Sequence, residues 1–138
     1  GQICGISGND SRVCFSAPLA KLLEGADRGT VYVRVDYTDK SGRVYHNNYC
    51  LDKQKNMNYP KVDLQTEVRS IEGGYEVTVS TDKFARAVCL SVADNESVYS
   101  DNYFDVQPKS SVQVQVRTRL SAEAFNASLR LTCLNNEF

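Results

Sequence analysis

Tryptophan is absent from this 138-residue chain, and histidine and methionine occur once each. The single imidazole, His46, has no acid and nucleophile patterned around it, so triad-type hydrolysis is not expected. It falls on the polar side of an alternating segment, where a surface role is the simplest one. The cysteines are Cys4, Cys14, Cys50, Cys89 and Cys133, and no two stand at CxxC spacing. A zinc site draws about four ligands from such local pairs, so no metal is expected. Lys and Arg total 16 against 17 Asp and Glu, a formal net charge of −1. The basic residues are scattered, without the clustered excess that phosphates attract, so nucleic acid is not an expected partner. No apolar run is long enough to span a bilayer, and a membrane partner is not expected either. The opening GQICGISGND lacks a basic stretch followed by an apolar core, so no signal peptide is expected there. Nothing in the sequence asks for a cofactor.

What is present reads as an ordinary globular protein. Hydrophobic residues make up 41% and charged residues 24%, enough apolar material for a core and too much for disorder. The length suits one domain or two small ones. An odd cysteine count leaves at least one thiol unpaired within the chain, and most of these cysteines read as small apolar residues. Their pairing and the redox compartment stay open. The N-x-S/T sequons at Asn9, Asn95 and Asn126 matter only in a eukaryotic secretory pathway.

In the first half, Arg12–Ser16 suits a short strand. Pro18–Leu23 suits one or two helical turns, with Pro18 at the first position, Leu19, Leu22 and Leu23 on one face and a stop near Gly25. Thr30–Thr38 alternates, with Val31, Val33, Val35 and Tyr37 on one side. Asp39–Gly42 is a hairpin turn, and Arg43–Asp52 returns with Tyr45, Tyr49 and Leu51 together. Lys53–Lys61 is polar and contains Pro60, which reads as a linker.

The second half carries stronger patterns. Val62–Ile71 alternates Val62, Leu64, Thr66 and Val68 against charged and polar residues. Glu72-Gly73-Gly74 turns the chain, and Tyr75–Thr81 returns with Tyr75, Val77 and Val79 inward. Lys83–Val88 suits a helical turn, but Val88, Leu90 and Val92 alternate, so a strand is expected from about Ala87. A strand over Val98–Val106 follows, then Ser111–Leu120, SVQVQVRTRL, the cleanest alternation in the chain. Ser121–Phe125 reads as a loop or single turn. Ala127–Leu134 closes as a strand, its parity pointing Cys133 inward and Cys89 outward of its own strand, against a bridge between them. Many short one-faced strands separated by Gly, Asn and Asp turns predict an all-β, immunoglobulin-like antiparallel β-sandwich over residues 59–138. Residues 1–58 supply too few strands to stand alone and look like part of a further sandwich.

Within Ser91–Pro108 lies SDNYFDVQP: Ser100, Asp101, Asn102, Tyr103, Phe104 and Asp105, with Pro108 three residues on. Together with NYPKVDL at 58–64, EGGYEVTV at 72–79 and the final strand pair, it resembles the C-terminal immunoglobulin-like region of glycoside hydrolase family 2 β-mannosidases. The resemblance covers most of residues 59–138. Residues 12–58 resemble, more weakly, the closing strands of the preceding sandwich domain. The resemblance implies a parent enzyme that hydrolyses terminal, non-reducing β-mannosyl residues with retention, using a (β/α)8 barrel placed earlier in the chain. It favours a periplasmic, secreted or lysosomal setting.

Retaining hydrolysis needs two carboxyl groups about 5–5.5 Å apart. In that family both are glutamates on the barrel, and no alternating strand–helix barrel is written in this sequence, so no catalytic residue is expected here. Asn95-Glu96 and Asn136-Glu137 reproduce the family's Asn-Glu pair but fall in a turn and near the chain end. Asp101 and Asp105, if both lie in one strand, are about 13 Å apart on one face. Tyr99, Asn102 and Tyr103 form a candidate patch for sugar or for neighbouring domains, and Tyr45, Asn47, Asn48 and Tyr49 a second. Against this, Tyr103 or Phe104 is expected to fill the core.

Two readings follow. The first is a non-catalytic accessory region whose partners are the parent's other domains, reaching β-mannoside only through the parent. The second is a stand-alone carbohydrate-binding or adhesive module with a fibronectin-like fold. The unpaired strands of residues 12–52 invite self-association, or packing of this stretch onto the second unit, with Val31, Val33 and Val35 as the uncovered face.

Overall fold

The computed structural model describes residues 3–137. The chain divides into two compact units, residues 1–58 and 59–138.

The first unit is sparse in regular structure. A short helix, α1 (Leu19–Leu23), follows Pro18 and ends at Glu24 in the left-handed region. A 3-10 turn at Arg28–Thr30 is capped by Asp27, whose carboxylate accepts from the Gly29 amide. Then come β1 (Tyr32–Thr38) and β2 (Val44–Cys50), an antiparallel pair in register from Tyr32 opposite Cys50 to Thr38 opposite Val44. Asp39 organises the turn between them, accepting from the Ser41 and Arg43 amides at 2.8 and 3.0 Å. The expected strand at Arg12–Ser16 does not form. Among the described residues it has no partner strand, and its Val13 and Phe15 are 80% and 72% exposed. The stretch read as a linker is partly ordered: Gln54–Asn56 makes a 3-10 turn, and the Asn58 amide donates to the Gly29 carbonyl at 2.7 Å.

The second unit is a two-layer antiparallel sandwich. Its strands are β3 (Gln65–Ile71), β4 (Gly74–Thr81), β5 (Ala85–Ser91), β6 (Val98–Tyr99), β7 (Phe104–Val106), β8 (Ser110–Arg117) and β9 (Arg130–Thr132). One sheet runs β3-β4-β8-β6 and the other β7-β5-β9. The β3–β4 hairpin turns on Gly73, at φ 77°. Gly74 must lack a side chain, because a Cβ there would strike the Val116 carbonyl on β8. Period 2 then does its work: Tyr75, Val77, Val79 and Thr81 of β4 point inward and the residues between them do not. Val77, Val79, Val114 and Val116 of one sheet meet Ala85, Val88, Leu90, Phe104 and Val106 of the other in a single apolar core. Cys133 is buried in that core and Cys89 half-buried on β5.

Four expectations for this unit are corrected. Ser121–Phe125 is not a loop: α2 (Ala122–Ser128) is a helix, its start capped by Ser121 Oγ accepting from the Ala124 amide. Its Phe125 is wholly buried and stacks on Tyr75 with ring centroids 4.1 Å apart. The closing strand is therefore only Arg130–Thr132, because residues 127 and 128 belong to the helix. The strand expected from about Ala87 begins two residues earlier, with β5 at Ala85, so Lys83–Val88 makes no helical turn. Val98–Val106 is not one strand but two, β6 and β7, in different sheets.

Candidate functional site

The split between β6 and β7 puts Ser100–Tyr103 at a crossing from one layer to the other. Each side chain there has a backbone duty or none. The Ser100 amide donates to the Gln115 carbonyl at 2.8 Å, and Ser100 Oγ accepts from the Gln115 amide at 2.9 Å, so the hydroxyl extends the β6–β8 pairing. Asp101 Oδ1 accepts from the amide of its neighbour Asn102 at 2.8 Å. Asn102 grips β5 near its C-terminal end: its Oδ1 accepts from the Leu90 amide at 2.8 Å and its Nδ2 donates to the Leu90 carbonyl at 2.9 Å. The side-chain amide thus stands where a strand neighbour would. Tyr103 takes φ 60°, which reverses the chain and leaves its ring 71% exposed, while Phe104 drops into the core.

Asp105 braces an irregularity in the facing strand. Ala85 pairs with Val106 and Val88 with Phe104, so Arg86 and Ala87 together oppose Asp105 alone, a β-bulge. Ala87 sits at φ 50°, and its freed amide donates to Asp105 Oδ1 at 3.0 Å. The other carboxylate oxygen pairs with the Arg86 guanidinium. On the opposite side of the bulge Asn135 Oδ1 accepts from the Arg86 amide at 2.7 Å, while its Nδ2 donates to the Phe84 and Pro60 carbonyls, both at 2.8 Å. Pro108 lies in the tight turn into β8, where the Ser110 amide donates to the Gln107 carbonyl and the Lys109 amide to Thr81.

Tyr99, Asn102 and Tyr103 do not present a common polar surface. Tyr99 packs on the core with its hydroxyl accepting from the Val92 amide at 3.1 Å, and burial pushes its phenol up from the ordinary value. Both polar atoms of the Asn102 amide are engaged, which leaves Tyr103 as the exposed member. The Tyr103 phenol is also raised, chiefly by its hydrogen bond with Cys89. In the first unit Asn48 is buried, whereas Tyr49 is 70% exposed. Tyr45 stacks on Tyr37 with centroids 6.0 Å apart, and the Arg43 guanidinium lies 5.1 Å from the Tyr45 ring centre. Register puts Val33, Val35, Tyr37, Tyr45, Asn47 and Tyr49 on one hairpin face.

A family model of the mannosidase-type Ig-fold domain matches residues 58–137, more than half of the chain. The chain belongs to this family. No curated protein matches it. The mannosidase-type Ig domain is an accessory unit, non-catalytic by itself. Glu96 lies exposed in a turn held by Asp94, whose carboxylate accepts from the Glu96 amide at 2.9 Å and from the Ser97 and Thr118 hydroxyls at 3.0 and 3.1 Å. These bonds, the Glu96 amide first, hold the Asp94 carboxyl below the usual carboxylate range. Asn136 clasps Val62, accepting from its amide at 3.2 Å and donating to its carbonyl at 3.0 Å. Asp101 and Asp105 do not share a strand, because Asp101 precedes β7 at the crossing, so the even-spacing geometry does not apply. Among the described residues no group of three or more His, Cys, Asp and Glu is placed to hold a metal ion, and no helix is long and apolar enough to cross a membrane.

Sequence reasoning missed Asn135 and Asn136. Their signal was an Asn pair directly behind a strand, and it was read only for the glutamate that follows. Asp105 was singled out, but its partner bulge, some eighteen residues back, leaves no local trace.

Proposed function

We propose that this chain is a structural, domain-packing region of a glycoside hydrolase family 2 β-mannosidase. In this reading the parent hydrolyses terminal non-reducing β-mannosyl residues with retention, and the two glutamates that do so lie on a barrel outside this sequence. The observation that carries the reading is the use made of the SDNYFD stretch: Ser100 Oγ, both polar atoms of the Asn102 amide and one Asp105 oxygen serve backbone groups of neighbouring strands, and the other Asp105 oxygen pairs with Arg86. Such a stretch serves a fold and not a substrate. The mannosidase-type family match supports the parent's class. Residues 1–58 are read as the closing strands of the preceding sandwich. The exposed Val35, Tyr37 and Tyr49 of the β1–β2 face support that reading, because a face of this composition is suited to a second sheet layer. In isolation the same face favours self-association through residues 12–52.

The test is an assay of the chain with a chromogenic β-mannoside. No turnover is expected. Turnover that survives replacement of Glu96 and Glu137 by Gln would sink this account. The reading frame upstream of Gly1 is expected to encode a (β/α)8 barrel with a glutamate at the C-terminal end of each of two strands. Titration with mannose, mannobiose and β-mannan is expected to be silent, and saturable binding lost with Tyr103→Ala would favour a carbohydrate-binding module instead.

A further inference from the structure

Among the described residues of the second unit, four strands stand at sheet edges, and three of them are blunt: β6 has two residues, and β7 and β9 have three each. Short edges resist pairing with another chain. β3 differs. It is seven residues long, carries no proline or glycine, and pairs with β4 in unbroken register. The direction of its backbone groups follows from β4. The Gly73 carbonyl accepts from the Thr118 amide at 3.2 Å, so the odd-numbered residues of β4 direct their bonds to β8. The even-numbered ones bond β3, where their partners are Gln65, Glu67, Arg69 and Ile71. Thr66, Val68 and Ser70 therefore direct their amides and carbonyls away from the sheet. Thr66 and Ser70 are exposed, and Val68 packs partly on the core.

We propose that β3 is a docking edge for a second copy of this chain, the two copies pairing antiparallel about a two-fold axis at Val68 and joining their four-stranded sheets into one. The position of the axis follows from the edge. Only Thr66, Val68 and Ser70 have bonds to exchange, and an axis at Val68 engages all three: Val68 meets its own counterpart, and Thr66 of each copy meets Ser70 of the other. The same register sets Glu67 of each copy opposite Arg69 of the other on the outer face, where both side chains are exposed. Opposite charges thus meet at both symmetric positions, and no like charges do. An axis at Thr66 would set Glu67 against Gln65, and one at Ser70 would set Arg69 against Ile71, so neither gains a charge pair. Arg69 is already steered along the sheet, its Nη2 donating to Glu76 Oε1 at 2.8 Å while its side chain stays 73% exposed. A guanidinium has donors enough for a second carboxylate. This edge belongs to a different element from the β1–β2 face, and the proposal does not depend on the mannosidase reading.

The test is sedimentation of the full chain over a range of concentrations, with two charge variants folded as judged by far-UV circular dichroism. The parent chain is expected to dimerise. Glu67→Arg and Arg69→Glu each set like charges opposite one another at both symmetric positions, and each is expected to raise the dimer dissociation constant about tenfold or more. An equal mixture of the two variants is expected to regain a dimer, because the arginines of one chain then face the glutamates of the other. A parent chain that stays monomeric overturns the proposal, as does a mixture that associates no better than its components. Association equally strong in the parent and both variants also overturns it, and assigns self-association to another surface such as the β1–β2 face. A second measurement needs no substitution. Amide exchange at Thr66, Val68 and Ser70 of the parent chain is expected to slow as its concentration rises, and exchange independent of concentration at these three amides contradicts the pairing.

Discussion

Strands β1 and β4 carry the same writing and meet opposite fates. Val33, Val35 and Tyr37 alternate with polar residues as cleanly as Tyr75, Val77 and Val79 do. Yet Val77 and Val79 are fully buried, and Val35 and Tyr37 are 59% exposed. The difference lies in what else each unit contains. Around β4 stand a strand on either side, β3 and β8, and a second sheet that lays Val88, Leu90 and Val106 over the same core. Among the described residues, β2 alone stands beside β1. Alternation therefore specifies a face, and only a second layer turns that face into stability.

Four substitutions break or sharpen this contrast. Phe125→Ala has the largest expected effect, a loss of about 3–5 kcal/mol, because it empties a wholly buried ring site and unstacks Tyr75. It should lower the urea midpoint of the second unit, followed by far-UV circular dichroism. Asn135→Ala comes next, at about 3 kcal/mol, since it strips partners from the Arg86 amide and the Phe84 and Pro60 carbonyls around a buried position. Leaving the core apolar residues untouched, it asks whether the sandwich is held by polar pins as well as by packing. Asp94→Asn acts through pH. The native Asp94 carboxyl is depressed, so its contribution is present above the unfolded value and fades as the pH falls through the native one. The variant should be less stable than the parent chain at neutral pH and should lose less on acidification. A parallel acid limb in both proteins would contradict the role given to the Glu96, Ser97 and Thr118 bonds. Val35→Thr is expected to be smallest, within about 0.5 kcal/mol, because the side chain already meets water. A cost comparable with Val77→Thr would mean that the hairpin face is covered in solution and the contrast false.

Legibility followed the range of the interactions. The β3–β4 hairpin and β8 could be read because alternation and a Gly-Gly turn are local signals, and the register built on them is regular from Gln65 opposite Ser80 to Ile71 opposite Gly74. The crossing could not. Val98–Val106 alternates well enough to pass for one strand, and only Tyr103 at φ 60° breaks it, a conformation tyrosine adopts because Asn102 and Phe104 are anchored on either side. The α2 helix did have a signal. Ser121 is a good cap, and Ala122, Glu123 and Ala124 favour helix, but a seven-residue element is too short for periodicity to show. Of the SDNYFD stretch, the sequence conveyed that it was special. That Asn102 imitates a strand and Asp105 steadies a bulge rests on β5, which only the folded chain brings there.

The Asn135 and Asn136 clasps have one more consequence. They tie residues 135 and 136 to residues 60 and 62, so the polypeptide enters and leaves the second unit at the same corner. A module whose two ends are bonded side by side is topologically a cassette. It can be set into a loop of a host protein with little linker, or have its ends joined and be reopened elsewhere, without any strand of the sandwich having to change its neighbours.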